Sequence, residues 1–275
     1  MGGYADFAAF YDRLTDDVGY PQRADYIAEL LMEHGMKKGI VLDLACGTGS
    51  LTLELSKRGY EMIGVDASPD MLCAAQEKCA KAGAEVLFLC QPMEALDLYG
   101  TVNAAVCTLD SLNHITDPDT LREVLRRVSL FLEPGGLFVF DVNTPYKHRE
   151  VLGNHTFVYD LEGLYCVWQN AYCAKDTSVE ILLDFFEEKA DGSYTRYGEQ
   201  FAERAYSHEE LCAFAQAAGL TLAGYYEEMT RIPPHADTER AIYVMKKEGQ
   251  TGSLYFRRWN PYRNGARQHG YRGRG

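Results

Sequence analysis

The sequence has no C-x-x-C pair and no His/Cys grouping at zinc-ligand spacing, although it contains eight cysteines. Those eight (Cys46, Cys73, Cys79, Cys90, Cys107, Cys166, Cys173, Cys212) are scattered, mostly within apolar runs. A free thiol there behaves as a small hydrophobe, which argues against a disulfide framework or a metal site; no metal is expected. No stretch approaches the roughly 20 apolar residues of a membrane span, and the N-terminus carries no apolar run of signal type. A cytoplasmic protein with no membrane partner is therefore expected. Asp and Glu are missing from residues 249–275, which hold six arginines, leaving 21 Lys/Arg against 40 Asp/Glu in the rest. A body that acidic repels a phosphate backbone, so nucleic-acid affinity is expected only from the tail, where Tyr255, Phe256, Trp259, Tyr262 and Tyr271 stand among the arginines. The tail has no apolar period and is read as disordered.

With 275 residues, 47% apolar and 24% charged, the chain can bury one sizeable core plus a small appended element. Apolar spacing predicts helices over Tyr4 to His34, stopped by Gly35. Beyond them lie short strands at Ile40–Leu44, Glu61–Val65, Val86–Cys90, Asn103–Thr108 and Leu137–Val142. Helices over Gly49–Arg58, Ser68–Ala82 and Thr120–Leu132 fall between them, and Pro134-Gly135-Gly136 reads as a turn. Strands separated by helices of 10 to 15 residues pair in parallel, and strands apolar throughout belong to a sheet covered on both faces. The fold class is α/β, doubly wound and mainly parallel.

After Asn143 the pattern changes to three long strands, Tyr165–Cys173, Ser178–Glu187 and Tyr194–Ala205, joined by hairpin connections: an inserted antiparallel meander. It carries Tyr165, Trp168, Tyr172, Phe185, Phe186, Tyr197 and Phe201, some expected to pack on the body and others to lie over the site. The α/β pattern resumes at Ser207, which with Glu210 forms a capping box, and two last strands are expected at Leu220–Glu228 and Ala241–Lys246. The domain reading is residues 1–150 with 206–248 as the main domain, 151–205 as the inserted lid, and 249–275 as the tail.

The chemistry is concentrated in Val41-Leu42-Asp43-Leu44-Ala45-Cys46-Gly47-Thr48-Gly49. An acid closes a strand, then a Gly-rich turn enters a helix whose free N–H groups can meet a carboxylate. A ligand with both an ammonium and a carboxylate, an amino-acid moiety, suits such a turn. Asp66 closes the second strand, where a carboxylate can accept both hydroxyls of a ribose. A dinucleotide fingerprint needs a third glycine, and Thr52 stands in its place.

On these motifs the chain resembles the class I S-adenosylmethionine-dependent methyltransferases, from about Tyr4 to Lys247, within a mostly uncharacterised bacterial subgroup. The resemblance implies a seven-stranded Rossmann-like sheet, S-adenosylmethionine as cofactor, and cofactor contacts from Asp43, Ala45, Cys46, Gly47, Gly49 and Asp66. It places Ala67 and Met71 beside the adenine. The acid usual after the third strand is replaced in Gln91-Pro92-Met93 by Pro92, leaving Gln91 or backbone groups for the adenine. Aromatic residues of the opening segment, Tyr4, Tyr11 and Tyr20, are candidates to close over the cofactor.

The loop Thr108-Leu109-Asp110-Ser111-Leu112-Asn113-His114 is expected to flank the reactive methyl, with Leu109 and Asp110 near the cofactor. Asp110, Asn113 and His114 are the catalytic candidates, with Asn143 and His208 also near the expected pocket. The Asp/Asn-Pro-Pro-aromatic motif of base-amino methyltransferases is missing, which favours a small-molecule N or O acceptor for a monomer or homodimer. Two alternatives are an RNA methyltransferase using the basic tail and a cofactor-binding protein without transferase activity.

Overall fold

The computed structural model describes residues 18–249. Tyr4, Tyr11 and the tail aromatics and arginines lie outside the described residues.

The first described helix, α1 (Tyr20–Glu33), starts with Pro21 in its first turn and buries Ala24, Ile27, Leu30 and Leu31 along one stripe. Then follow β1 (Ile40–Leu44), α2 (Ser50–Lys57), β2 (Glu61–Asp66), α3 (Pro69–Lys81), β3 (Leu87–Cys90), β4 (Val102–Cys107), α4 (Pro118–Phe131) and β5 (Leu132–Asn143). Caps set the helix starts: Ser68 accepts from the Met71 N–H and Asp117 from the Thr120 N–H.

The main sheet runs β10-β11-β5-β4-β1-β2-β3, with β10 (Leu220–Glu227) and β11 (Arg240–Lys247) contributed by the last part of the described chain. β1 pairs in parallel with β2 and β4, and β11 runs antiparallel to both β5 and β10. Strand order reverses at β1/β4, and the crevice beyond their carboxyl ends is where open α/β sheets hold ligands. Alternate residues of the strands enter two cores. Leu42, Leu44, Phe138 and Phe140 pack with α4 and with α5 (His208–Ala217). Val41, Val106 and Val139 pack with α1 and α2 on the other face. Each fully buried aliphatic side chain contributes about 1.5–3 kcal/mol. Both faces are covered, which is why the strands read as unbroken apolar runs.

Two local readings need correction. Pro134-Gly135-Gly136 does not end an element: β5 begins at Leu132, and the three residues form an irregularity in its pairing with β4, where Gly135 has φ +81°. The stretch between Asn143 and Tyr165, which had no predicted element, contains a π-helical turn at Lys147–Leu152 and a strand, β6 (Thr156–Leu161).

The second sheet is a four-stranded antiparallel meander, β6, β7 (Leu164–Cys173), β8 (Ser178–Glu188) and β9 (Tyr194–Arg204). It has its own core of Leu164, Cys166, Val179, Ile181, Leu183 and Phe185, closed by Leu152 of the π-turn. The far end of β9 packs on the turn at Ser111–His114. That contact brings the second sheet to the crevice of the first. No helix among the described residues is long and apolar enough to cross a membrane.

Candidate functional site

The Gly-rich turn leaves β1 through Ala45 (φ +60°), Gly47 (φ +53°) and Gly49 (φ +73°), and Gly49 is the N-cap of α2. A Cβ added at Gly49 would stand 2.8 Å from the Ala75 Cβ, so both conformation and space require glycine there. Asp43, buried at the end of β1, accepts a hydrogen bond from the Thr52 hydroxyl. Burial, and to a smaller extent the Asp66 carboxylate, push the Asp43 carboxyl up to about 7, with Thr52 opposing. A cation beside it would relieve that strain on its charge.

Asp66 accepts from the Gly47 N–H at 2.9 Å with Oδ2 and from the Ser68 N–H at 2.9 Å with Oδ1. Each carboxylate oxygen has a second lone pair for a hydroxyl. Tyr20, Asp43, Ala45, Cys46, Gly47, Thr108 and Leu109 line one narrow cleft between α1, the turn and the loop after β4. Met71 is buried in α3 and Ala67 is exposed. The Gln91 side chain is turned to the Asp97 backbone, donating to its carbonyl at 3.1 Å and accepting from its N–H at 2.9 Å, rather than held toward the cleft. Pro92 is exposed in an extended conformation and Met93 is half-buried against the core.

Leu109 and Asp110 are consecutive residues in the left-handed region, φ +57° and +53°, a strained arrangement for non-glycine residues. Asp141 holds it. From near the carboxyl end of β5, buried, it accepts the Leu109 N–H with Oδ2 at 2.9 Å and the Asp110 N–H with Oδ1 at 2.8 Å. Arg23 and Arg240 neutralise it, at 3.3 and 2.6 Å. Arg240 also reaches Asp110 at 2.7 Å. Burial alone would raise the Asp110 carboxyl, but the Arg240 guanidinium and nearby His114 and Lys147 hold it well below the usual carboxylate range. Asp110 is an ionised anchor at neutral pH.

Asn113 is buried with its amide committed to backbone, donating to the Asn143 and Arg204 carbonyls and accepting from the Asn143 N–H. That geometry makes it a clamp between the loop after β4, β5 and β9. Asn143 donates to Asp110 Oδ2 at 2.9 Å and to Glu203 Oε2 at 3.2 Å. His114, half-exposed, has Nε2 3.9 Å from Glu203 Oε1 and its ring 5.0 Å from that of Phe201. Phe185, by contrast, packs in the meander's own core.

Asp110, His114 and Glu203 can each bring a ligand atom within 4.8 Å of the others, but Arg240 occupies Asp110 and the Asn143 amide donates between the two carboxylates. His208 is elsewhere: it packs on Tyr225 and Tyr243 in a separate cavity of about 250 Å³. The residues that sequence reasoning missed are Asp141, Arg240, Glu203 and His148. One signal was available, because Asp141 is the only charged residue in Leu137–Val142.

Residues 41–136 match the family described as "Methyltransferase domain". Over 245 residues the chain is 32% identical to YqeM of Bacillus subtilis (strain 168), named as a methyltransferase, covering 89% of this chain and 97% of that protein. A crystal structure of an S-adenosylmethionine-dependent methyltransferase from Clostridium acetobutylicum ATCC 824 superposes with a TM-score of 0.82 at 33% identity, covering 90% of this chain and 99% of that one. The chain belongs to the class I S-adenosylmethionine-dependent methyltransferases. The methyltransferase is also 28% identical over 216 residues to a glycine/sarcosine N-methyltransferase of Parasynechococcus marenigrum (strain WH8102), covering 74% of this chain and 67% of that one. Its cofactor is S-adenosylmethionine, and the turn between β1 and α2 presents backbone N–H groups with the carboxylates of Asp43 and Asp66 on either side.

Proposed function

We propose that the methyltransferase transfers the methyl group to nitrogen or oxygen of a small molecule bound against the loop after β4. The observation that carries the cofactor side is that two strand-end carboxylates flank one glycine turn, Asp43 buried beneath it and Asp66 bonded to its Gly47 N–H. In this reading Asp43 answers the ammonium of the methionine moiety, the turn and the α2 N-terminus its carboxylate, and Asp66 the ribose hydroxyls. Ala67 and Met71 border the adenine. The Gln91 side chain is engaged with Asp97, so the backbone near Met93 is left to contact the base. Tyr20 covers the cleft from α1.

The bound cofactor supplies an already activated methyl on sulfur. The protein's part is to exclude water and align the acceptor lone pair with the S–CH₃ bond. Asp110, ionised and held by Arg240 and Asn143, orients the acceptor rather than taking its proton. Residues 151–205 act as a lid in this reading, since β9 lies against Ser111–His114 beside the acceptor. Incubation with methyl-labelled S-adenosylmethionine and fractionated cell extract tests this. Label in small metabolites is expected; label only in RNA or protein contradicts it.

A further inference from the structure

Glu203 is a buried carboxylate with no Lys or Arg within ion-pair distance among the described residues. Its partners are the Asn143 amide, His148 Nε2 at 3.3 Å and His114 Nε2 at 3.9 Å. Arg204, next in the chain, turns away to Glu210 at 3.6 Å. His148 is fully buried, and its Nδ1 lies 3.1 Å from the Thr177 carbonyl. A carbonyl only accepts, so Nδ1 carries a hydrogen, and with the ring neutral Nε2 turns a lone pair to Glu203. Two acceptors facing each other in a buried site are bridged only by a proton.

The charges around the pair have the same deficit. From the loop after β4, from β5 and from the residue following β10 come Asp110, Asp141 and Glu228, and Glu203 makes four carboxylates. Against them stand Arg23, Arg240 and Lys147. One positive charge is lacking, and a buried unmatched carboxylate is costly. An anionic acceptor would add to the deficit; an ammonium corrects it. His114, half-exposed against Phe201 and four residues from the Asp110 anchor, stands between solvent and Glu203.

We propose that Glu203 and His148 form the proton-receiving end of the acceptor site, reached through His114, and that the acceptor is a primary or secondary amine arriving as an ammonium. This rests on the reading of the chain as an active methyltransferase with its acceptor against the loop after β4. The ammonium gives its proton to His114 and on to the Glu203–His148 pair, freeing the nitrogen lone pair. That pair forms the N–C bond to the methyl as the C–S bond breaks and its electrons return to sulfur. The products are the methylated ammonium and S-adenosylhomocysteine, and the stored proton leaves to solvent before the next turnover. His114 touches the acceptor; Glu203 and His148 act through it.

The experiment uses the full chain with S-adenosylmethionine and a panel of amines, phenols and carboxylates, reading S-adenosylhomocysteine formed and, by calorimetry, cofactor binding. Amines alone are expected to turn over, with kcat rising along an acid limb. Glu203→Gln and His114→Gln are each expected to lower kcat for amines by about 10²-fold and to abolish the acid limb, while cofactor Kd changes less than about twofold. His114→Gln alters a half-exposed side chain, so it keeps the test open should Glu203→Gln fail to fold. An acid limb unchanged in the folded variants overturns the inference, as does cofactor binding without turnover of any amine. Absence of cofactor binding instead overturns the reading of the cofactor site.

Discussion

The Thr52 hydroxyl donates to buried Asp43, so the residue standing where a dinucleotide fingerprint has its third glycine is the one that orients the acid ahead of the turn. The carboxyl of Asp43 is raised to about 7, chiefly by burial.

Two pH effects follow from that raised value. An unfolded chain releases this proton near pH 4, so the contribution to folded-state stability is complete below that pH and lost as pH climbs through about 7. Cofactor binding has the opposite trend. An ammonium beside Asp43 favours the ionised form, so affinity rises with pH up to about 7 and levels off above, and a proton is released on binding below it. Titration calorimetry in buffers of different ionisation enthalpy counts that proton. Thr52→Val removes the opposing hydrogen bond and is expected to move the midpoint upward; an unchanged midpoint would sink the assignment.

Gly49→Ala is expected to lose both stability and cofactor binding. The new methyl meets Ala75 and the backbone at φ +73° is costly for alanine. A loss of about 1–3 kcal/mol in chemical denaturation is the expected size, and a loss under about 0.5 kcal/mol would show that the turn relaxes freely.

Asp141→Asn removes the charge that holds two left-handed residues and two guanidinium groups. Breaking a buried ion pair costs about 3–5 kcal/mol. The variant should unfold at distinctly lower denaturant and, where folded, lose more in kcat than in cofactor affinity. Equal losses in Kd and kcat would instead place Asp141 in the cofactor site.

The sheet, its parallel centre and the glycine turn were legible because each rests on local chemistry: apolar runs of strand length, Ser68-Pro69 as a helix start, and the Ser207–Glu210 capping box seen in full. The acceptor side was not, because its residues meet only through tertiary contacts. Glu203 lies 93 residues beyond Asp110 in sequence and joins it through Asn143. Asn113 looked catalytic for its position in the loop, yet its amide serves three backbone groups of two strands, β5 and β9. His208 looked near because its helix follows the meander, but it sits with Tyr243 in another cavity. Pro134-Gly135-Gly136 has turn composition, but Leu132 before it and Leu137 after it both pair with β4, which makes it an irregularity within one strand.

The most direct test of the cofactor site is calorimetry of S-adenosylmethionine binding to the full chain and to Asp66→Asn. Losing a charged acceptor from two ribose hydroxyls should weaken binding about 10- to 100-fold while the variant stays folded. Unchanged affinity in a folded Asp66→Asn protein would contradict the placement of the cofactor across the turn at Asp43 to Gly49.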